Sequence, residues 1–131
     1  MNLEPVFLTL DETVEIHKYQ IEHFGGSDGL RSTGLLESAV GMPSSTFSGE
    51  YLHPTVPDMA AAYLFHLVGD HPFVDGNKRV GTMAALVFLE LNEYDFDASD
   101  DELTDVVLRV AGGRMPKESL SQFFRQLSRR R

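Results

Sequence analysis

The sequence predicts an all-α fold, a compact bundle of about six helices. Three observations predict it. The apolar residues recur with helical spacing along nearly the whole chain, and no stretch alternates over the length of a strand. Two capping-box signatures, Thr9 with Glu12 and Ser99 with Glu102, mark helix starts. Glycine pairs at Gly25-Gly26 and Gly112-Gly113 mark helix ends.

The first helix opens after Thr9 and carries Leu10, Val14, His17, Ile21 and Phe24 on one side. A second follows Ser32 or Thr33, with Leu35, Leu36, Ala39 and Val40 apolar, and stops before Pro43. Residues 42–56 have turn composition, are long for a loop, and leave room for a small hairpin. A third helix starts near Pro57, which suits a first helical position, and runs to about Gly69. The loop HPFVDGNK comes next. The fourth helix, Asn77 to about Asn92, has a wide stripe of Val80, Met83, Ala84, Val87, Phe88 and Leu91, which predicts the central helix of the bundle. The fifth follows Ser99. The sixth opens at Pro116 and carries Phe123, Phe124 and Leu127.

Composition bounds the rest. The chain has 131 residues, 42% hydrophobic and 24% charged, which fits a single domain spanning 1–131 with a radius of gyration of about 14 Å. Its 20 acids against 11 Lys and Arg give a net charge of −9, which argues against a broad nucleic-acid or anionic-membrane surface. With no cysteine there is no disulfide, thiolate metal site or cysteine nucleophile. The N-terminal stretch MNLEPVFLTLDE lacks the basic and apolar regions of a secretory signal, and no apolar run approaches membrane-spanning length, so a cytoplasmic protein is expected. Eight acids between Glu90 and Asp105 read as a solvated helix face with its capping turn. Four arginines within Arg125–Arg131 read as a helix C-terminus whose cations suit the dipole, the alternative being contact with an acidic partner or nucleic acid.

The segment His71-Pro72-Phe73-Val74-Asp75-Gly76-Asn77-Lys78-Arg79 carries the chemistry. It sets a histidine and an acid four residues apart on a loop, then a glycine, then a helix with two cations in its first turn. Cations there oppose the helix dipole. An anion held by the free N–H groups and both side chains offsets that cost. Asp75 suits Mg²⁺, which binds one or two carboxylates plus substrate phosphates. His71 suits a general base. Phosphate, metal and base together are the parts of phosphoryl or nucleotidyl transfer. A hydrogen-bonded loop histidine before a solvated basic turn is the alternative for a looser His-x-x-x-Asp pattern.

The same nine residues resemble the signature of the Fic/Doc family, His-x-Phe-x-Asp/Glu-Gly/Ala-Asn-Gly/Lys-Arg, matching at His71, Phe73, Asp75, Gly76, Asn77 and Arg79. FLTLDETVEIH, HFGG, LRSTGLLESAV, AALVFLELN and DDELTDVVLRVAGG are similar to the Doc (death-on-curing) branch, in the expected order. The resemblance implies a Fic fold with the motif loop between two core helices. It implies His71 as general base, Phe73 as loop anchor and Asp75 as Mg²⁺ ligand. Gly76, Asn77 and Lys78 become the anion nest for ATP, and Arg79 contacts phosphate and takes part in catalysis.

Adenylylating members read Gly-Asn-Gly-Arg-x-x-Arg, whereas this chain has Lys78 and Thr82 at the second glycine and last arginine. The Doc branch shares Asn-Lys-Arg and binds ATP reversed, with the γ-phosphate toward the target. The resemblance therefore implies a toxin that phosphorylates Ser or Thr of a protein, translation elongation factor Tu being a target class of that branch. It also implies a small antitoxin whose disordered tail folds into an apolar groove. Adenylyl transfer and a catalytically idle regulatory module remain alternatives. A metal-dependent nuclease is a weaker one, because one acid and one histidine are few ligands.

Other residues carry less. Thr33 to Ser38 comes close to an inhibitory Ser/Thr-x-x-x-Glu-Gly/Asn helix but ends in serine, so Glu37 reads as an ordinary helix residue. Residues 42–56 stand where the family has a target-positioning flap, and Tyr51 and His53 are candidates to touch target or nucleotide. His17, His23 and His66 read as packed core histidines. The sequence leaves open whether Arg31 reaches the site.

Overall fold

The computed structural model describes residues 4–131; Met1–Leu3, part of the segment weighed above as a leader, lie outside the described residues. Six helices form as expected: α1 (Leu10–Phe24), α2 (Thr33–Gly41), α3 (Val56–Asp70), α4 (Asn77–Leu91), α5 (Asp100–Ala111) and α6 (Lys117–Leu127). Both capping boxes are present, at Thr9–Glu12 and Ser99–Glu102. Gly25 caps α1, and Ser32 caps α2 through the Leu35 N–H. Among the described residues the fold is all-α with four very short strands.

Two of those strands, β1 (Thr46–Phe47) and β2 (Glu50–Tyr51), make a hairpin in the 42–56 segment. Ser48 and Gly49 both have positive φ, 53° and 81°, which gives the twist that tight hairpin turns need. The other two, β3 (Tyr94–Phe96) and β4 (Ser128–Arg130), pair antiparallel, with Asp95 opposite Arg129.

That second pair corrects the reading of the C-terminus. The basic tail leaves the helix at Ser128 and becomes an edge strand. Arg131 then donates to Glu90 Oε2 at 2.5 Å and to Asp95 Oδ1 at 2.7 Å. Two members of the acidic run are therefore used by the tail, and Arg131 holds the Glu90 carboxyl below its usual range. These groups are exposed, so solvent and salt screen both pairs and they add little to stability.

The centre of the bundle is α3, not α4 as the apolar stripe suggested. Ten of its residues are buried, among them Ala60, Ala61, Ala62, Tyr63 and Leu64. Small side chains let α2, α4, α5 and α6 all pack on it. The α4 stripe is buried at Val80, Ala84 and Phe88, while Leu91 is exposed. The inner face of α1 also differs from the apolar pattern. Thr13, His17 and Gln20 are buried, whereas Val14 and Phe24 are 40% and 60% exposed. His23 is exposed and stacks on Tyr19 instead of packing in the core. His66 is half-buried and accepts from Lys117 Nζ at 2.8 Å, and burial pushes its pKa down to about 4.

The α3–α4 pair positions the motif loop, because that loop is its connection. Gly81 sets how closely the two helices approach. A Cβ there would lie 2.7 Å from Val68 Cγ2 and 3.3 Å from Leu64 O. Overpacking of a buried contact costs about 1–3 kcal/mol, more than the about 1 kcal/mol that alanine recovers in helix propensity. Gly81→Ala should therefore lower stability on urea unfolding, by an amount that an exposed glycine-to-alanine change would not.

Candidate active site

α3 ends at Asp70, and its C-cap is His71, a non-glycine residue in the left-handed region with φ 50° and ψ 56°. The chain then turns through Pro72 and Phe73, both buried, to the exposed Val74 and Asp75. Gly76 has φ 80°, which glycine adopts without strain, and α4 begins at Asn77. The turn is closed by the Asn77 side chain. Its Oδ1 accepts from the Phe73 N–H and its Nδ2 donates to the Phe73 carbonyl, both at 3.0 Å. Asn77 is itself buried, so its amide faces inward, and only its main-chain N–H remains for an anion.

Phe73 is fixed on its other side by His17. The two rings stack at 3.8 Å with planes 6° apart. His17 Nε2 lies 2.8 Å from the Asp75 carbonyl and donates to it. The connection between α1 and α2 runs along the loop as a short ladder. Arg31 N and Ser32 N donate to Pro72 O at 2.8 and 3.0 Å, and Val74 N donates to Gly29 O at 3.0 Å.

Asp75 is exposed, yet both of its oxygens are held. Oδ1 accepts from Gly76 N at 2.8 Å and Oδ2 from Ser27 N at 3.1 Å. These two N–H bonds are the main cause that lowers its pKa, with Arg79 and His17 adding to it. Gly26 makes room for this arrangement, since a Cβ at its φ of 113° would sit 2.8 Å from Asp75 Oδ2.

The result is a pocket of about 510 Å³ that His71, Asp75, Gly76, Asn77, Lys78 and Arg79 line together. The first N–H groups of α4 open into it without intrahelical partners, as helix geometry dictates. Lys78 is exposed at its mouth. Arg79 rests over the Phe24 ring, 5.5 Å from its centroid, and donates to the Gly25 and Phe24 carbonyls at 3.3 and 3.5 Å. Six of the seven motif residues given roles thus share one cavity, with Phe73 buried outside its lining, although the side chains of Asp75, Asn77 and Arg79 already bond protein groups. A negatively charged ligand finds N–H groups and two cations here, with an imidazole and a carboxylate beside them.

A model of the Fic/DOC family matches residues 7–89. The chain belongs to the Fic/DOC family. It is 39% identical over 92 residues to a protein named Toxin Doc from Mycolicibacterium smegmatis, covering 66% of this chain and 71% of that one. It is 29% identical over 118 residues to Protein kinase doc of Escherichia phage P1, covering 89% of this chain and 91% of that one. The Fic/DOC match spans α1 through most of α4, and so contains every residue of the pocket.

Among the described residues no group of three or more His, Cys, Asp or Glu is arranged to hold a metal. Asp75 alone fits a narrower task. An ionised, exposed carboxylate with lone pairs to spare suits Mg²⁺ that arrives with phosphates and keeps most of its water.

Two candidates lie elsewhere. Tyr51 donates to Glu4 Oε2 at 2.9 Å, and His53 is buried; neither lines the motif pocket. Glu37 is exposed on α2. Sequence reasoning missed the support of the loop by His17, Ser27 and Arg31. The only signal was the glycine spacing of Gly25, Gly26 and Gly29, which marks backbone in close approach.

Two predictions follow from the geometry of the loop. Asn77→Ala leaves the Phe73 N–H and carbonyl buried without partners, at about 1–3 kcal/mol each, so the urea midpoint should fall clearly. For Asp75 the folded pKa lies below the ordinary 3.8. Its contribution to stability is therefore present above 3.8 and lost as pH falls through the lower folded value. Asp75→Asn should be less stable than the parent at neutral pH, and the gap should narrow in strong acid, as read by unfolding at a series of pH values.

Proposed function

We propose that this protein is the toxin of a toxin–antitoxin pair and transfers the γ-phosphate of ATP to a Ser or Thr hydroxyl of a target protein. The observation that carries the reading is the pocket, where a histidine and a carboxylate adjoin the cationic start of α4. The names of the two relatives, Toxin Doc and Protein kinase doc, support it. The 131 residues act as one domain in this reading, and the protein acts in the cytoplasm.

His71 takes the proton of the acceptor hydroxyl as that oxygen attacks phosphorus. Its ring is exposed in the pocket and free to meet a hydroxyl presented from outside. The N–H groups of Gly76, Asn77 and Lys78 were expected to form the phosphate nest. Here the Gly76 N–H is already bonded to Asp75, so the nest consists of the N–H groups of Asn77, Lys78 and Arg79. The Lys78 and Arg79 side chains neutralise charge that builds on the transferred group. Asp75 would hold Mg²⁺, and the chemistry such an ion would supply is neutralisation of phosphate charge. The protein positions and neutralises, which is most of what phosphoryl transfer requires.

Thr82 favours phosphoryl over adenylyl transfer. Its hydroxyl is turned back to the Lys78 carbonyl at 2.7 Å, so it offers the pocket neither charge nor a free donor. In adenylylating members, as the family resemblance implies, an arginine at this position steadies the terminal phosphates while the α-phosphate is attacked. The target is a protein, and a translation factor such as elongation factor Tu fits the branch. The antitoxin's seat is assigned to the apolar groove of about 480 Å³ between α4 and α5, walled by Met83, Leu86, Leu103 and Val107. That groove shares Lys78 and Arg79 with the motif pocket, so an antitoxin tail lying in it reaches the anion site.

Incubation with lysate and either γ- or α-labelled ATP separates the chemistries. The reading expects γ label in a protein and none from α label. α label in the protein would assign adenylylation, and no label from either would favour an idle binding module. His71→Ala should abolish transfer and growth arrest while leaving the unfolding transition in place.

A further inference from the structure

Among the described residues the main chain of His71 makes one hydrogen bond, and Arg31 is its donor. Arg31 Nε donates to His71 O at 2.6 Å and Nη2 to Asp70 O at 2.8 Å. Both bonds end on carbonyls that α3 leaves without partners at its C-terminus. A cation at that end also suits the helix dipole. Arg31 makes no ion pair among the described residues and does not line the motif pocket. Its charge is thus committed to the back of the loop and not to a phosphate.

His71 needs such a hold. A left-handed residue at a helix end is usually glycine, because a Cβ is disfavoured there. Here the residue must be histidine for its ring and left-handed for the turn. Its φ and ψ fix the direction of the Cα–Cβ bond, and so decide whether the imidazole faces the pocket. The neighbouring segments are secured by other means. Pro72 is held by the Arg31 and Ser32 N–H groups, Val74 by Gly29 O, and Phe73 by Asn77. Among the described residues the guanidinium bonds residues 70 and 71 alone.

We infer that Arg31 is a positioning residue, whose guanidinium bridges the Asp70 and His71 carbonyls and so aims the His71 imidazole at the reacting hydroxyl. The inference rests on the phosphotransfer reading above for its kinetic consequence, but not for its geometry. Lysine is a poor substitute, because one ammonium on a flexible stem lacks the planar fork that spans two carbonyls.

The test uses the full chain with Arg31→Ala and Arg31→Lys. Misplacement of a catalytic group by about 1 Å costs about 10²-fold in rate, so kcat of Arg31→Ala should fall on that scale, with KM for ATP unchanged and the unfolding midpoint near the parent's. Arg31→Lys should recover part of the loss, and added methylguanidinium should restore activity to Arg31→Ala but not to His71→Ala. A crystal structure of Arg31→Ala should show the His71 ring turned out of the pocket. Unchanged kcat overturns the inference. So does a loss that methylguanidinium leaves unrescued, or a loss with His71 still in its parental position. If the parent protein transfers nothing from ATP, the phosphotransfer reading fails, and the crystal structure alone decides whether Arg31 sets the His71 conformation.

Discussion

The site depends on one side chain bonded twice to one residue, Asn77 to both main-chain groups of Phe73. A buried amide imitates a strand neighbour and closes a five-residue turn. With the turn closed, Phe73 points into the core against His17, and Asp75 points out where Ser27 and Gly76 reach its oxygens. The start of α4 is also fixed, so its first N–H groups face the pocket. Loss of that closure would leave two buried polar groups unpaired and would free the loop that aligns His71 with the helix. Precision in the pocket therefore originates from a residue that offers its own side chain to the protein.

Charge follows the same logic of local exceptions. The chain carries a net charge of −9, yet its pocket begins with Lys78 and Arg79. Their cost against the helix dipole is about 0.3–1 kcal/mol each, small enough for the fold to absorb. Asp75 lines the same pocket as Arg79, and its pKa is held down first by two N–H donors and then by that cation. The acidic run, by contrast, serves architecture in part. Glu90 at the end of α4 and Asp95 in β3 both receive Arg131, the residue just beyond β4. The opposite charges that the sequence sets at two distant places meet on one edge of the bundle.

Helix ends were legible because their signals are local. A capping threonine and its glutamate lie three residues apart, and the Thr9 and Ser99 boxes formed where the pattern placed them. The nine-residue motif was legible for the same reason, and all of its residues except the buried Pro72 and Phe73 line one pocket. Interior position was less so. α3 is rich in alanine and apolar on nearly every side, so its periodicity is weak, and the wider stripe of α4 drew attention instead. The buried face of α1 escaped because it uses Thr13, His17 and Gln20, which bond or stack instead of merely avoiding water. β4 escaped because its partner strand is more than thirty residues away. The Asn77 side-chain closure was not foreseen and the place of Arg31 was left open for a common reason. Each bonds main-chain atoms of an irregular loop, for which the sequence carries no regular spacing.

Arg79 is the part of the site with an alternative place to go. Its bonds to the Gly25 and Phe24 carbonyls, at 3.3 and 3.5 Å, are long for hydrogen bonds and end on neutral acceptors. A phosphate offers the same guanidinium shorter, charge-assisted and paired bonds, about twice as strong as neutral ones. In the proposed reaction the exchange runs toward the ligand, and it leaves the α1 C-terminus to water and to the N–H bond that Gly25 already makes to Ile21. The Asn77 side chain and the ladder on Pro72 and Val74 stay as they are, because their hydrogen bonds are made within the loop and with the α1–α2 connection. Binding an anion here then needs the movement of one exposed side chain over a loop already set, and little of the binding energy is spent on ordering the protein.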